Sequence, residues 1–164
     1  MDQTFKLSTT GRDGVQYPFA VTCHSESEYE GERTYTKHTY YVRTDPDDPS
    51  QSAVAESRGQ IADPRDSFQF TVAEISTSAV KVIMMTNNGE SAYSQKGIPE
   101  AMIEAVSSKL EREVQSSSNK VEHRSVQAEW RADPATKVWD RLVDAGKASY
   151  DAERDTYVYP AKTE

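Results

Sequence analysis

Three groups of residues in this 164-residue chain carry types that do chemistry. The first is Cys23 beside His24 in "YPFAVTCH". An imidazolium next to a thiol lowers its pKa and makes a nucleophile. Neighbours on a strand point to opposite faces, however, so the two side chains do not meet, and a buried structural cysteine is expected. The second is the alternation Glu26, Glu28, Glu30, Glu32. An extended segment places these four carboxylates on one side, where a divalent cation finds oxygen ligands. No His or Asp stands at fixed ligand spacing, and the plainer reading is a solvated edge whose repulsion blunts strand pairing. His24, His38 and His123 are far apart and show no zinc-ligand spacing, so no metal site is expected.

The third group is the loop in "SQKGIPEAMIEAVSSKL", residues 94–110, where Gln95, Lys96, Gly97 and Ile98 run into a helix. Backbone N–H groups at a helix start, with the positive end of the helix dipole, bind anions. The same residues also serve as a plain helix entry, in which Gly97 eases a bend and Pro99 sets the first turn. Pro99 has no N–H and removes one donor from any phosphate cradle. Lys96 is either a phosphate partner or a solvated cation. Both readings of the loop stand at this level.

The surrounding elements must position these groups. "TFKLSTT" and "YPFAVTCH" flank the turn-like "GRDG" and suggest a hairpin. "RTYTKHTYYVRT" follows as a third strand and stops at the breaker "DPDDPSQS". "AVAESRGQI" has no decisive pattern. "SFQFTVAEIS" alternates Phe68, Phe70 and Val72 on one face, and "SAVKVIMMTN" is a nearly continuous apolar run that suits a strand covered on both sides. Ile98, Met102, Val106 and Leu110 recur every four residues, widened by Ala101, Ile103 and Ala105, as a helix with one buried face. "REVQSSSN" reads as a short strand leaving that helix.

"DPATKVWDRLVDAG" is a second helix, with Asp133 as N-cap, Pro134 at the first helical position and Gly146 as the left-handed residue past its end. Trp139, Leu142 and Val143 are its apolar stripe. "KASYDAERDTYVYP" gives two short strands with Tyr157 and Tyr159 on one face. The fold class is therefore α+β, a mixed and mostly antiparallel sheet with two main C-terminal helices. Residues 1–164 read as a single domain, β-rich over 1–78 and strand–helix–strand–helix–hairpin over 79–164.

The net charge is −8, with 28% charged and 35% hydrophobic residues. That charge disfavours direct nucleic-acid binding, which calls for a basic face. One cysteine excludes an intrachain disulfide. The first residues lack a signal-peptide pattern, and no apolar run approaches the roughly 20 residues that span a bilayer, so a soluble cytoplasmic protein without membrane contact is expected.

From about residue 79 onward the order resembles the C-terminal core of the GNAT acyl-CoA N-acyltransferase superfamily. "KVIMMTN" resembles its cofactor-aligning strand and "QKGIPEA" its Q/R-x-x-G-x-G/A loop. "VQSSS" resembles the next strand, and "DPATKVWDRLVDAGKASYD" the N-x-A-x-x-x-Y-x-x-x-G-F helix. The resemblance implies acetyl-CoA as cofactor. The amides of Gln95, Lys96, Gly97 and Ile98 would hold its pyrophosphate, and the strand carrying Met84 and Thr86 would align the thioester. A small-molecule or protein amine would be the acceptor.

Several positions depart from the pattern. One residue separates Gln95 from Gly97, Pro99 replaces a small residue, and Trp139 stands where the family has its tyrosine acid. No family-type helix is visible in 1–66. Catalytic residues are thus unassigned; Tyr150, Tyr157, Tyr159 and the serines at 116–118 are the nearby hydroxyls. The alternative function is a non-enzymatic acidic interaction protein that binds a protein partner and keeps only the fold. A module for another phosphorylated ligand is a third reading. Exposed end strands leave a homodimer open.

Overall fold

A computed structural model describes residues 3–44, 67–87, 93–126 and 129–162. Alternating apolar and polar residues build the first three strands, β1 (Gln3–Thr10), β2 (Gln16–Glu30) and β3 (Arg33–Thr44), as an antiparallel meander. Cys23 faces the core while His24 is half-exposed on the other side. β2 runs well past "YPFAVTCH": residues 25–30 stay paired with β3 down to Glu30 opposite Arg33. Lys37 makes this extension tolerable, bridging Glu26 and Glu28 at 3.3 Å each. Glu32 lies in the turn, so three of the four alternating glutamates share the strand.

β4 (Phe68–Glu74) and β5 (Ala79–Thr86) extend the sheet antiparallel. Helix α1 (Ile98–Leu110) then carries the chain to β6 (Glu113–Gln115), which lies parallel to β5. Helix α2 (Asp133–Asp144) precedes the hairpin of β7 (Ser149–Asp151) and β8 (Thr156–Tyr159). The sheet order is β1-β2-β3-β4-β5-β6-β8-β7, with β8 inserted beside β6. The architecture is α+β, an eight-stranded, mostly antiparallel sheet with two α-helices among the described residues. The single 13-residue α1 touches both β1 and β8, near opposite edges, so the sheet curls around it.

The core lies in this curl. Ile98, Met102, Ile103 and Val106 of α1 are buried against Phe19, Phe70 and Val80 of the sheet, as the four-residue spacing predicts. Gly97 caps α1 with φ 76°, and a Cβ there would stand 2.4 Å from the Thr10 carbonyl oxygen. The glycine is thus required by close approach of β1 as well as by its backbone. α2 starts one residue earlier than its sequence suggests: Ala132 is the N-cap, Asp133 is the first helical residue, and no side chain caps the end. Its far end matches expectation. Gly146 is left-handed, and the N–H groups of Gly146 and Lys147 reach the carbonyls of Val143 and Leu142 at 2.9 Å each, a Schellman pair.

β5 is covered on both sides only over its first four residues; Ile83 is half-buried and Met84 is 47% exposed. The breaker at 45–52 and the segment 53–61 lie outside the described residues. No described helix is long and apolar enough to cross a membrane.

Candidate functional site

β5 and β6 pair for only three residues, Ala79 with Glu113, Val80 with Val114 and Lys81 with Gln115. Two local features then part them. On β5 the register with β4 steps from Val72–Val82 to Thr71–Met84, leaving Ile83 as the extra residue of a bulge, which bends and twists its strand. On the other side Ser116 turns its hydrogen bonds to β8: its N–H donates to the Tyr157 carbonyl and its hydroxyl accepts from the Tyr157 N–H, both at 2.9 Å.

The gap is a cleft of about 220 Å³, walled by residues 82–85, by Ser117 and by the start of α2. Crevices at the carboxyl ends of parallel strands are the usual ligand sites of open sheets. Trp139, fully buried, closes its inner wall and stacks on Tyr157 with ring centroids 5.9 Å apart. Met84 and Trp130, the latter 66% exposed, flank the opening. One strut crosses the gap, from the Ser117 hydroxyl to the Val82 carbonyl at 2.6 Å.

Buried charge holds the cleft wall in shape. The Arg131 guanidinium donates to the Ser117 carbonyl at 2.8 Å, the Asp155 carbonyl at 2.9 Å and Asp155 Oδ1 at 2.7 Å. Burial pushes the Asp155 carboxyl up, but hydrogen bonds from Arg131, Tyr150 and the Asn119 N–H outweigh it and hold it below the ordinary range. Tyr157 is pushed up to about 12, first by burial and then by its hydrogen bond to Asp140. Behind this network, Lys81 and Glu129 form an ion pair at 2.7 Å with both side chains fully buried. Glu129 also accepts the N–H groups of Ser118 and Ser125, which gathers these two residues around the buried pair on β5.

Among the described residues that line the cleft there is no carboxylate, imidazole or thiol. What they present is apolar surface, one serine hydroxyl, a fixed guanidinium and the β5 edge beyond its last pairing with β6. Among the described residues no three His, Cys, Asp or Glu side chains gather as a metal site needs.

No family model, curated protein or solved structure matches this chain. The cleft's chemistry therefore rests on its own geometry.

The structure distributes the sequence-predicted residues. Met84 stands at the cleft. Thr86, the last residue of β5, pairs with Gln69 beyond the lining. Gln95 and Gly97 line a different recess, at the start of α1. Lys96 sits with its ammonium 4.2 Å from the Tyr17 ring centroid, and Ile98 is fully buried in the core. The Gln95 carbonyl accepts the Arg12 N–H at 3.1 Å, so the β1–β2 hairpin packs on this loop. Glu100 in the first turn of α1 accepts from Arg141 at 2.6 Å. Sequence reasoning missed Lys81, Glu129 and Arg131. The visible signal was a lone lysine inside the apolar run "SAVKVIMMTN", since a charge on a strand covered on both faces demands a partner.

Proposed function

We propose that the β5–β6 cleft receives the thioester arm of an acyl-CoA such as acetyl-CoA, and that the chain is a GNAT-like N-acyltransferase or a degenerate relative. The observation that carries this reading is the parallel strand pair that separates after Lys81 and Gln115 around the cleft, with α1 as the crossover between them. An extended, amide-bearing arm laid along the β5 edge gains main-chain hydrogen bonds as an added strand does. A small-molecule or protein amine then attacks the thioester carbonyl, the C–S bond breaks as the C–N bond forms, and the amine's proton passes to solvent. Orientation of the two reactants supplies the rate. The loop amides of Gln95, Lys96, Gly97 and Ile98 remain the candidate pyrophosphate holder, with Pro99 contributing no donor and Glu100 adding a like charge.

A second reading, a protein that binds a partner without chemistry, is favoured by one observation. On the resemblance, Trp139 would stand where the family has its tyrosine acid, and Tyr157, stacked on it, donates its hydroxyl to Asp140.

Thermal-shift titration with acetyl-CoA and coenzyme A tests the proposal. Ligand at 100 times its Kd adds about 2.7 kcal/mol, or a Tm rise of about 5–11 °C for a chain of this size. Ala135→Phe, which fills the cleft, should cancel the rise, and Lys96→Glu should reduce it. Gly97 is unsuitable for this purpose because any side chain there strikes Thr10. Absence of a shift at millimolar cofactor sinks the acyl-CoA reading. A shift without thiol release, across a panel of amines, leaves the degenerate form.

A further inference from the structure

Three neighbouring strands run off the core onto one rim and bring a hydroxyl, an imidazole and a carboxylate together there. Cys23 on β2, Tyr40 on β3 and Val72 on β4 are buried in the core, and two positions outward on the same faces stand Ser25, His38 and Glu74. Ser25 is directly opposite His38, and Glu74 is the diagonal neighbour of His38, which pairs with Val72. The Ser25 hydroxyl lies 2.6 Å from His38 Nδ1, and Ser25 itself is exposed. On its other side the ring presents Nε2, buried without a hydrogen-bond partner and 3.8 Å from Glu74 Oε2.

The carboxylate decides where the protons sit. Burial pushes the Glu74 carboxyl up, but hydrogen bonds from Thr36 and Arg112 outweigh it and hold it below the ordinary range, so it is ionised. A lone pair on Nε2 would be repelled by that carboxylate, whereas an N–H there is attracted to it. The neutral ring therefore keeps its proton on Nε2 and leaves Nδ1 to accept from the Ser25 hydroxyl. A hydroxyl, a base on it and a carboxylate that fixes the base's tautomer are the parts of an activated nucleophile. The three side chains include no oxyanion donor, so the carbonyl they attack must already be reactive.

We infer that Ser25 is a nucleophile for activated carboxylic esters, aryl esters above all, with His38 as general base and Glu74 as the residue that positions it. Ser25 Oγ bonds to the ester carbonyl carbon as its proton passes to His38 Nδ1. The bond from that carbon to the aryl oxygen then breaks, and the phenolate leaves with the electron pair. Water next attacks the acyl-serine, the carboxylic acid departs, and Ser25 Oγ regains a proton. A serine alkoxide leaves less readily than a phenolate, so the acyl-serine accumulates. The site shares no residue with the acyl-CoA cleft, and the inference does not depend on that cleft. The Cys23 thiol, 3.9 Å from Ser25 Oγ but buried, is the rival nucleophile.

Stopped-flow release of nitrophenolate from p-nitrophenyl acetate, followed by peptide mapping, tests this. A burst of about one equivalent per chain is expected, with the acetyl group on Ser25. Ser25→Ala should remove the burst, and Cys23→Ala should keep it. His38→Ala, checked for folding by circular dichroism, should slow it about 100-fold or more. Added imidazole should restore part of that rate, which it would not do for a merely structural histidine. Glu74→Gln should move the pH midpoint of the burst rate downward, because a carboxylate facing the ring favours its protonated form. Saturating coenzyme A should leave the burst unchanged. Acetyl groups on Cys23 or on lysines with Ser25 unmodified overturn the inference, as does an equally fast burst in folded His38→Ala. An unmoved midpoint in Glu74→Gln overturns the part given to the carboxylate, and protection of Ser25 by coenzyme A overturns its independence from the cleft.

Discussion

Cutting one half of the buried Lys81–Glu129 pair should be far more damaging on one side than on the other. Lys81 has its ammonium 2.7 Å from Glu129 Oε1 and 3.1 Å from the His123 carbonyl. Glu129 accepts, besides the lysine, the N–H groups of Ser118 at 2.7 Å, Ser125 at 2.6 Å and Val126 at 3.4 Å. Removing one partner of a buried pair costs about 3–5 kcal/mol because the other charge stays behind. Lys81→Met keeps the stem volume and leaves Glu129 with its backbone donors, so the loss belongs near 3 kcal/mol, the lower end of that range. Glu129→Ala strands the ammonium on one carbonyl and also orphans the Ser118 and Ser125 N–H groups, each worth about 1–3 kcal/mol. Its loss should exceed about 5 kcal/mol, a large part of the 5–15 kcal/mol available to a whole domain. At about 2–4 °C per kcal/mol, Lys81→Met should lower Tm by about 6–12 °C and Glu129→Ala by more than 10 °C. Urea melts of both variants, of Lys81→Met/Glu129→Gln and of the exposed control Lys137→Met give the comparison. The double variant should be more stable than Glu129→Ala, because no unpaired charge remains and a side-chain oxygen still faces the backbone donors. If Lys81→Met costs no more than Lys137→Met, or Glu129→Ala costs less than Lys81→Met, the pair does not hold the loop as described.

Gly97→Ala and Gly146→Ala share a left-handed penalty of about 1–2 kcal/mol, but only Gly97 faces an obstacle, Thr10 O at 2.4 Å, whereas nothing lies within 4 Å of Gly146. The urea midpoint should fall clearly further for Gly97→Ala, and equal midpoints would refute the close packing of β1 on α1. Tyr157 is neutral and raised to about 12, so its share of stability is complete below pH 10 and is lost as pH rises through about 12. Tyr157→Phe should flatten that alkaline fall in urea midpoint; an unaltered profile would show that the hydroxyl is not held by Asp140. Asp155 is held below its ordinary 3.8, so its share is complete above about pH 4 and fades as pH drops further. Arg131→Met should therefore move acid unfolding, followed by circular dichroism, to higher pH.

The strands, both helices and the Gly146 stop were legible because their signals are local: alternation, a four-residue stripe, a glycine past a helix end. β3 falls where Thr, Tyr and Val cluster and β5 on the apolar run, while the bounds of β2, the two-sided cover of β5 and the cap of α2 needed revision. The cleft was not legible, since it depends on a bulge at Ile83 and on Ser116 choosing β8 over β5, and neither choice is written in the neighbouring residues. Its supports join residues far apart in sequence, 48 positions for Lys81 with Glu129 and 24 for Arg131 with Asp155. Gly97 shows the ambiguity most directly. A glycine before a helix is required by a phosphate cradle and equally by a close backbone contact, and sequence does not separate the two. The Thr10 carbonyl supplies a complete reason for that glycine without any ligand. The choice of glycine at 97 therefore lends no weight to phosphate binding, which rests at this loop on Lys96, the backbone amides and the helix dipole. The weight of the acyl-CoA proposal falls on the parting of β5 from β6.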